Sequence, residues 1–242
     1  MDRRAYLAAV VAAGTLPVAG CLGDDSPTVL ARPESQSVDS EDYPFPAHGE
    51  ELPEVTLPSP LHDREVRTTE FVGERETLLT FVFTRCPGPC PALTTTLAQV
   101  QVRAADEGYA EEVALLPTTF DPEYDVAERL RAFSEANGAS VEEENWQFLR
   151  PESPDRAEAV ITDSFGVPFE EVPLEETEGA HGEHDDADRD DHADDGEGTT
   201  FVHANLLVLV NRDGYVERAY DGPPPTPTDV LDDLHEVREG MR

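Results

Sequence analysis

The sequence predicts an α/β fold in which a central sheet is flanked by helices. Two short, nearly continuous apolar runs, residues 78–83 and 206–210, are typical of strands that are buried on both faces. Between them, apolar residues recur at helical spacing, as in Leu93, Leu97 and Val100. Strands that alternate with helices over 242 residues indicate one compact domain with additional tails, or two small domains at most.

The remaining elements follow in the order expected of such a sheet. The helix after the first strand is predicted to end near Gly108, and residues 113–116 to form the next strand. Asp125 and Glu128 have capping-box spacing, which predicts that the Asp125 carboxylate caps a second helix. The later elements are a helix opened by Ser153 and Pro154, the strand at 206–210, a turn at Asn211–Gly214, a returning strand at Tyr215–Tyr220 and a last helix opened by Pro227.

The charge composition of the chain is extreme. It has 53 Asp and Glu residues against 17 Lys and Arg, a formal net charge of -36, and every basic residue is arginine. Phosphate binding needs clustered cations, so this composition argues against nucleic acid and against electrostatic docking on anionic lipid. An acidic, lysine-free surface stays solvated in concentrated salt, where the Debye length falls to about 3 Å, which predicts an extreme halophile as the source.

The first 20 residues are typical of an export signal. Two arginines precede an uncharged stretch, residues 5–20, which is too short for a membrane-spanning helix and ends in small residues. The run Arg3–Leu7 resembles a twin-arginine signal, and Val18–Cys21 resembles a lipobox, in which the cysteine is lipidated and becomes the new N-terminus. The alternative is a cleaved signal with an incidental cysteine. We expect an extracytoplasmic protein, tethered to the outer face of the cell membrane through lipid on Cys21.

Two further segments lack the apolar periodicity of a folded core. Residues 21–50 are predicted to form a flexible acidic tether, followed by a folded domain at residues 51–242. Within that domain, residues 170–198 are strongly acidic and are predicted to be a disordered insertion. The insertion contains three histidines, His181, His184 and His192. These histidines and the surrounding carboxylates suit loose binding of Cu(II) or Zn(II), or form a solvated acidic surface without a defined site.

Two of the three cysteines lie close together, at the end of the first apolar run. Cys86 follows a buried strand, and open α/β sheets place binding sites at the carboxyl ends of their strands. Cys90 falls at the start of the next helix, whose N-terminus stabilises thiolate. The two thiols can therefore ligate one metal ion or close a Cys86–Cys90 disulfide, and two buried structural thiols are the simpler alternative.

Four motifs share a pattern with one known family. They are Thr84-x-Cys86-Pro87-x-x-Cys90-Pro91, Asp121-Pro122-x-x-Asp125, the W-x-F-L pattern within Asn145–Leu149, and His203 ahead of a strand that ends at Asn211-x-Asp213-Gly214. In this order they resemble the Sco/SenC family of copper chaperones for cytochrome c oxidase assembly. The similarity covers residues 52–240, which is nearly all of the predicted domain.

The resemblance implies a thioredoxin-like fold and a copper site formed by Cys86, Cys90 and His203. Two thiolates and one imidazole suit Cu(I) at low coordination number, and the same donors can hold Cu(II). The resemblance also implies that Asp121 lies near the cysteine loop, where it would act on a ligand through another residue. For Asp125, we expect helix capping.

Three functions are open on the sequence alone. The preferred one is a non-enzymatic metallochaperone that delivers copper to the binuclear copper site of a terminal cytochrome c oxidase, with the copper-site subunit as partner. The second is a thiol–disulfide oxidoreductase that uses Cys86 and Cys90 to reduce the copper-site cysteines of the oxidase. A third, a peroxiredoxin-like peroxidase, is disfavoured because no cysteine follows Cys90 in the chain. His203 separates the first two, since copper coordination requires it and dithiol exchange does not.

Overall fold

The described part of the protein is built around a four-stranded central sheet. The computed structural model describes residues 27–36, 38–173 and 199–241. The strands are β1 (Thr56–Ser59), β2 (Arg64–Arg67), β3 (Glu76–Val82), β4 (Val113–Thr119), β5 (Phe169–Pro173), β6 (Thr199–His203), β7 (Leu206–Val210) and β8 (Val216–Asp221). The helices are α1 (Pro89–Glu107), α2 (Ala127–Ala136), α3 (Pro154–Ala157, continued by a π-helical stretch over Glu158–Ser164) and α4 (Pro227–Gly240), with short 3-10 turns at Ser40–Asp42 and Ala110–Glu112.

The central sheet has the strand order β4-β3-β7-β8. Strands β3 and β4 are parallel, whereas the β3–β7 and β7–β8 pairs are antiparallel. Every residue of β3, β4 and β7 is buried, which is why these strands read as continuous apolar runs in the sequence. The predicted strands are thus confirmed, and β1–β2 and β5–β6 add two antiparallel hairpins outside the central sheet.

Helix α1 positions the cysteine motif and covers the sheet. It packs on β3 and β4 and contacts α4. Leu93, Leu97 and Val100 lie on its buried face, as their helical spacing predicts. The helix ends at Gly108, whose φ of 77° is a left-handed conformation that only a residue without Cβ adopts readily.

Two predicted segment boundaries are corrected by the structure. Residues 170–173, assigned to the insertion, pair with β6 as part of β5, so the insertion is shorter than predicted. Part of the predicted tether is packed on the domain, since Leu30 is 2% exposed and the N–H groups of Val29 and Leu30 donate to the buried Glu217 carboxylate. The anchors are one buried leucine and two backbone N–H groups, which form no apolar period in the sequence.

Several sequence predictions fall outside the described residues. The export signal, Cys21 and the three histidines of the insertion are among them. Within the described ranges, no helix has the length and apolar character needed to cross a bilayer.

The end of the sheet where β3 begins is held by a network of ion pairs. The carboxylate of the buried Glu76 lies 2.8 Å from Nε of Arg212 and 3.5 Å from Nε of Arg238. Glu112 pairs with the same two guanidinium groups, at 2.5 and 2.8 Å. Close by, Asn211 donates a hydrogen bond of 2.8 Å to the carbonyl oxygen of Pro27. The network therefore joins the first residue of β3 to the β7–β8 turn and to the end of α4.

Candidate metal centre

The two cysteines and His203 meet at the opposite end of the sheet, where β3 ends. Cys86 lies in the loop between β3 and α1, Cys90 in the first turn of α1, and His203 at the end of β6. One ligand atom from each residue lies within 4.8 Å of the other two. Nε2 of His203 is 3.8 Å from Sγ of Cys90. The structure thus brings together three residues that the sequence singled out, one of them over 100 positions from the others.

The thiols of this site are buried, and they are not joined to each other. Cys90 is fully buried and Cys86 is 8% exposed, and both are free cysteines. His203 is partly exposed. Access from solvent therefore runs past His203 and Cys86, with Cys90 at the back.

The orientation of His203 leaves one ring nitrogen facing the thiols. Nδ1 lies 3.1 Å from the carbonyl oxygen of Ala204, which can only accept a hydrogen bond. In the neutral ring, Nδ1 is accordingly the protonated nitrogen, and Nε2 directs its lone pair toward Cys90. The rings of Phe83 and Phe120 pack on the imidazole, with centroids 5.9 and 4.8 Å away. The histidine is therefore held in a rotamer and tautomer suited to ligation.

The two thiols differ in acidity. A hydrogen bond from the Cys90 thiol lowers the pKa of Cys86 well below its usual value, against the effect of burial, with further help from the Gly88 N–H. The pKa of Cys90 is raised, because its proton is held by Cys86 and its thiolate would be desolvated. Cys86 is therefore the thiolate of the pair and its stronger nucleophile.

Asp121 lies near the cysteine loop and contacts it through Arg85. Nε and one terminal nitrogen of Arg85 lie 3.0 and 2.8 Å from Oδ2 of Asp121. The same guanidinium lies over the Tyr124 ring, 4.6 Å from its centroid. Asp121 thus holds the residue immediately before Cys86.

The predicted cap at Asp125 is wrong. Helix α2 begins at Ala127, and Val126 occupies the N-cap position without a side-chain hydrogen bond. The buried Asp125 carboxylate instead accepts hydrogen bonds from the Thr84 N–H and hydroxyl and from the Thr119 hydroxyl. The capping-box spacing was misleading here. The presence of Thr84 as the first residue of the cysteine motif was the one sequence feature that pointed to this contact.

Burial raises the pKa of Asp125 from 3.8 to about 6, because desolvation outweighs the hydrogen bonds from Thr119 and Thr84. Between these values the folded state holds a proton that the unfolded chain has lost, so stability falls as pH rises through this window, by about 3 kcal/mol at most. Asp125→Asn removes this titration. We therefore expect the difference in unfolding free energy, variant minus wild type, to increase as the pH rises from 4 to 7. Denaturant titrations at constant salt measure this difference. A difference independent of pH would contradict this assignment.

A cleft of about 630 Å³ opens beside the aromatic rings near His203. Phe120, Phe169 and Phe201 line its apolar side. Arg85 and Arg129 lie on its polar side together with several carboxylates. The cleft lies beside the site, and none of Cys86, Cys90 and His203 lines it.

The profile of the SCO1/SenC family matches residues 61–239, which include Cys86, Cys90 and His203. The chain belongs to the SCO1/SenC family. A SCO1 homologue from Bacillus subtilis (strain 168) is 26% identical over 158 residues, which is 65% of this chain and 68% of the relative.

Solved structures of SCO1/SenC proteins share the fold. A SCO1/SenC family lipoprotein from Bacillus anthracis str. Ames has a TM-score of 0.56 at 21% identity, covering 78% of this chain and 95% of that one. BsSco is described as having a disulfide switch and as a member of the Sco family of cytochrome c oxidase assembly proteins. Its structure has a TM-score of 0.53 at 23% identity, covering 81% of this chain and 95% of that one. Copper-bound ScoI of Arabidopsis thaliana has a TM-score of 0.53 at 18% identity, covering 80% of this chain and 99% of that one. The fold is thioredoxin-like, as the sequence resemblance implied.

Proposed function

We propose that this Sco/SenC protein is a metallochaperone that carries copper on Cys86, Cys90 and His203 to the binuclear copper site of a terminal cytochrome c oxidase. The observation that carries the proposal is the convergence of two thiols and one imidazole within 4.8 Å. Soft thiolate sulfur with imidazole nitrogen suits copper, and Cu(I) above all. Copper bound to the Arabidopsis relative and the oxidase-assembly role of the BsSco family support the same assignment.

Each residue of the site has a separate task in holding the cargo. Cys86 offers a thiolate that needs no further deprotonation, whereas Cys90 must release its proton as copper binds. His203 adds Nε2, which its bond to Ala204 keeps aimed at the thiols. Transfer proceeds by ligand exchange, in which thiols of the oxidase copper-site subunit replace these donors from the side of His203 and Cys86, where the site meets solvent.

A second function, thiol–disulfide oxidoreductase, is favoured by the unequal acidity of the two thiols. The Cys86 thiolate would attack a disulfide between the oxidase copper-site cysteines and form a mixed disulfide, releasing one target thiol. Cys90, as thiolate, would then displace the second target thiol and close a Cys86–Cys90 disulfide. Two electrons pass to the target in this sequence. The disulfide switch described for BsSco is consistent with such chemistry in the family.

We also propose that lipid on Cys21 holds the protein at the outer face of the cell membrane. The lipobox-like run Val18–Cys21 supports this anchor, as does the lipoprotein from Bacillus anthracis that shares the fold. Mass spectrometry of the membrane-associated protein is expected to find Cys21 as the first residue, carrying lipid. A mature N-terminus elsewhere, or an unmodified cysteine, would exclude the anchor.

An anaerobic Cu(I) titration tests the copper proposal. The reduced chain from residue 22 onward is titrated in high salt against a competing chelator, and one tight equivalent is expected. Binding no tighter than that of the chelator, while Cys86 and Cys90 still cycle between dithiol and disulfide, would reject copper delivery in favour of the oxidoreductase.

A further inference from the structure

The loop that carries Cys86 leaves the hydrogen-bond ladder of the sheet before it reaches the cysteine. The last paired residues of β3 and β4 are Val82 and Thr119. Beyond them, the Phe83 ring packs on Phe120 at 5.1 Å, but residues 84–88 have no strand partner. The position of the Cys86 sulfur therefore depends on what holds this loop.

Asp125 ties this loop to the end of β4. Its carboxylate is fully buried, and both oxygens lie within hydrogen-bond distance of the Thr84 N–H, at 3.2 and 3.3 Å. One oxygen also accepts from the Thr84 hydroxyl, and the other accepts from the Thr119 hydroxyl. Thr119 in turn accepts a 3.0 Å bond from the N–H of Asp121. The carboxylate thus joins Thr84 in the cysteine loop to Thr119 at the end of β4 and, through the Thr119 hydroxyl, to the Asp121 N–H.

The same short segment holds the next residue of the loop as well. Asp121 pairs with Arg85, and the N–H of Asp125 donates a 2.8 Å bond to the carbonyl oxygen of Asp121. Two consecutive loop residues, Thr84 and Arg85, are thereby fixed by two carboxylates that are themselves bonded through the backbone. Charge-assisted bonds of this kind are stronger than neutral ones, so the loop is held in place even without metal.

We infer that Asp125 is a positioning residue for the copper site: through Thr84 it fixes the loop that sets the Cys86 sulfur at ligation distance from Cys90 and His203. This inference rests on the proposed copper function. The negative charge of Asp125 would by itself disfavour thiolate ligands nearby, an effect opposite in sign to that of holding the loop in place. If charge were the whole role of Asp125, its removal would strengthen copper binding, whereas removal of a positioning residue weakens it.

Asp125→Ala is the decisive variant. Loss of an outer-shell partner typically costs about 10- to 100-fold in metal affinity, and we expect a Cu(I) affinity weakened by about that factor. Asp125→Asn keeps an oxygen that can accept from the Thr84 N–H and is expected to recover part of the loss. Thr84→Val removes only the hydroxyl, so its Cu(I) affinity should lie between those of the wild type and Asp125→Ala. The thiolate-to-Cu(II) charge-transfer band should shift in the same order.

Glu217→Ala is the matched control. Glu217 is an equally buried carboxylate that accepts backbone N–H bonds, but it lies at the other end of the sheet. We expect it to lower the Tm without changing copper affinity or the charge-transfer band.

A metal-free readout separates this inference from the copper proposal. Alkylation of Cys86 in the reduced full-length protein, located by mass spectrometry, should be several-fold faster in Asp125→Ala and unchanged in Glu217→Ala. If the wild type fails to bind copper, the proposed function fails while alkylation still decides the positioning role. The inference would be overturned if Cys86 were alkylated in Asp125→Ala at the wild-type rate, or if this variant bound copper more tightly than the wild type.

Discussion

Cys86→Ser is expected to abolish the tight Cu(I) equivalent, and His203→Ala to weaken it sharply. Serine cannot offer a soft thiolate, and Cys86 is the thiolate that the structure already stabilises. His203→Ala removes one of the three proposed ligands, so its effect should exceed the loss of about 10- to 100-fold that is typical of an outer-shell partner. Both effects are measured by chelator competition under anaerobic conditions, in the chain from residue 22 onward.

The two variants also separate the candidate functions. His203→Ala should leave Cys86 and Cys90 able to form a disulfide, whereas Cys86→Ser should not. His235→Ala is a suitable control, because this exposed histidine on α4 pairs with Glu239, on a different element from the site. Full copper affinity in His203→Ala would rule out a three-ligand site.

Glu76→Ala is expected to cost about 3–5 kcal/mol of the unfolding free energy. Breaking a buried ion pair by removing one partner leaves an uncompensated charge in the interior, and Arg238 is only 5% exposed. Glu112 still pairs with both guanidinium groups in this variant, so we expect a loss of unfolding free energy in the lower part of that range. The measurement is denaturant unfolding of the metal-free protein at constant salt.

The control for Glu76 is an exposed pair of the same chemistry. Glu107 and Arg103 form a 3.0 Å pair one turn apart on α1, and Glu107→Ala should cost no more than about 0.5 kcal/mol. High salt should reduce the cost at Glu107 further and leave that at Glu76 nearly unchanged, since buried pairs are weakly screened. Equal costs at the two positions would show that the buried network contributes little.

The parts of the fold that the sequence predicted are those with a clear apolar pattern, continuous in the buried strands and periodic in the helices. Residues 78–83 and 206–210 became β3 and β7 because both faces of these strands are covered, and α1 ends at Gly108 because its C-cap has a positive φ. The ligand set was predictable in a different way. Cys86 and Cys90 were predicted as a metal or disulfide pair from their place between a strand and a helix, whereas His203 was added to them only by the resemblance of motifs.

The features that the sequence did not predict depend on single polar contacts between distant residues. Asp125 was assigned to a helix cap because Glu128 follows at capping-box spacing, whereas its partners, Thr84 and Thr119, lie on other elements. Glu217 holds Val29 and Leu30 across more than 180 positions of the chain. A buried carboxylate that accepts backbone N–H groups leaves no periodic trace in either segment, so only the three-dimensional structure identifies it.

The contact between Pro27 and Asn211 fixes the end of the domain at which the N-terminal segment joins it. Pro27 lies where β3 begins, and the cysteines lie where β3 ends, a separation of about 20 Å for seven strand residues. If Cys21 carries lipid, the connection to Pro27 is six residues long and reaches at most about 22 Å. The end of the domain that carries Pro27 would then be the end nearer the anchor, and Cys86, Cys90 and His203 would lie at the far end of the sheet.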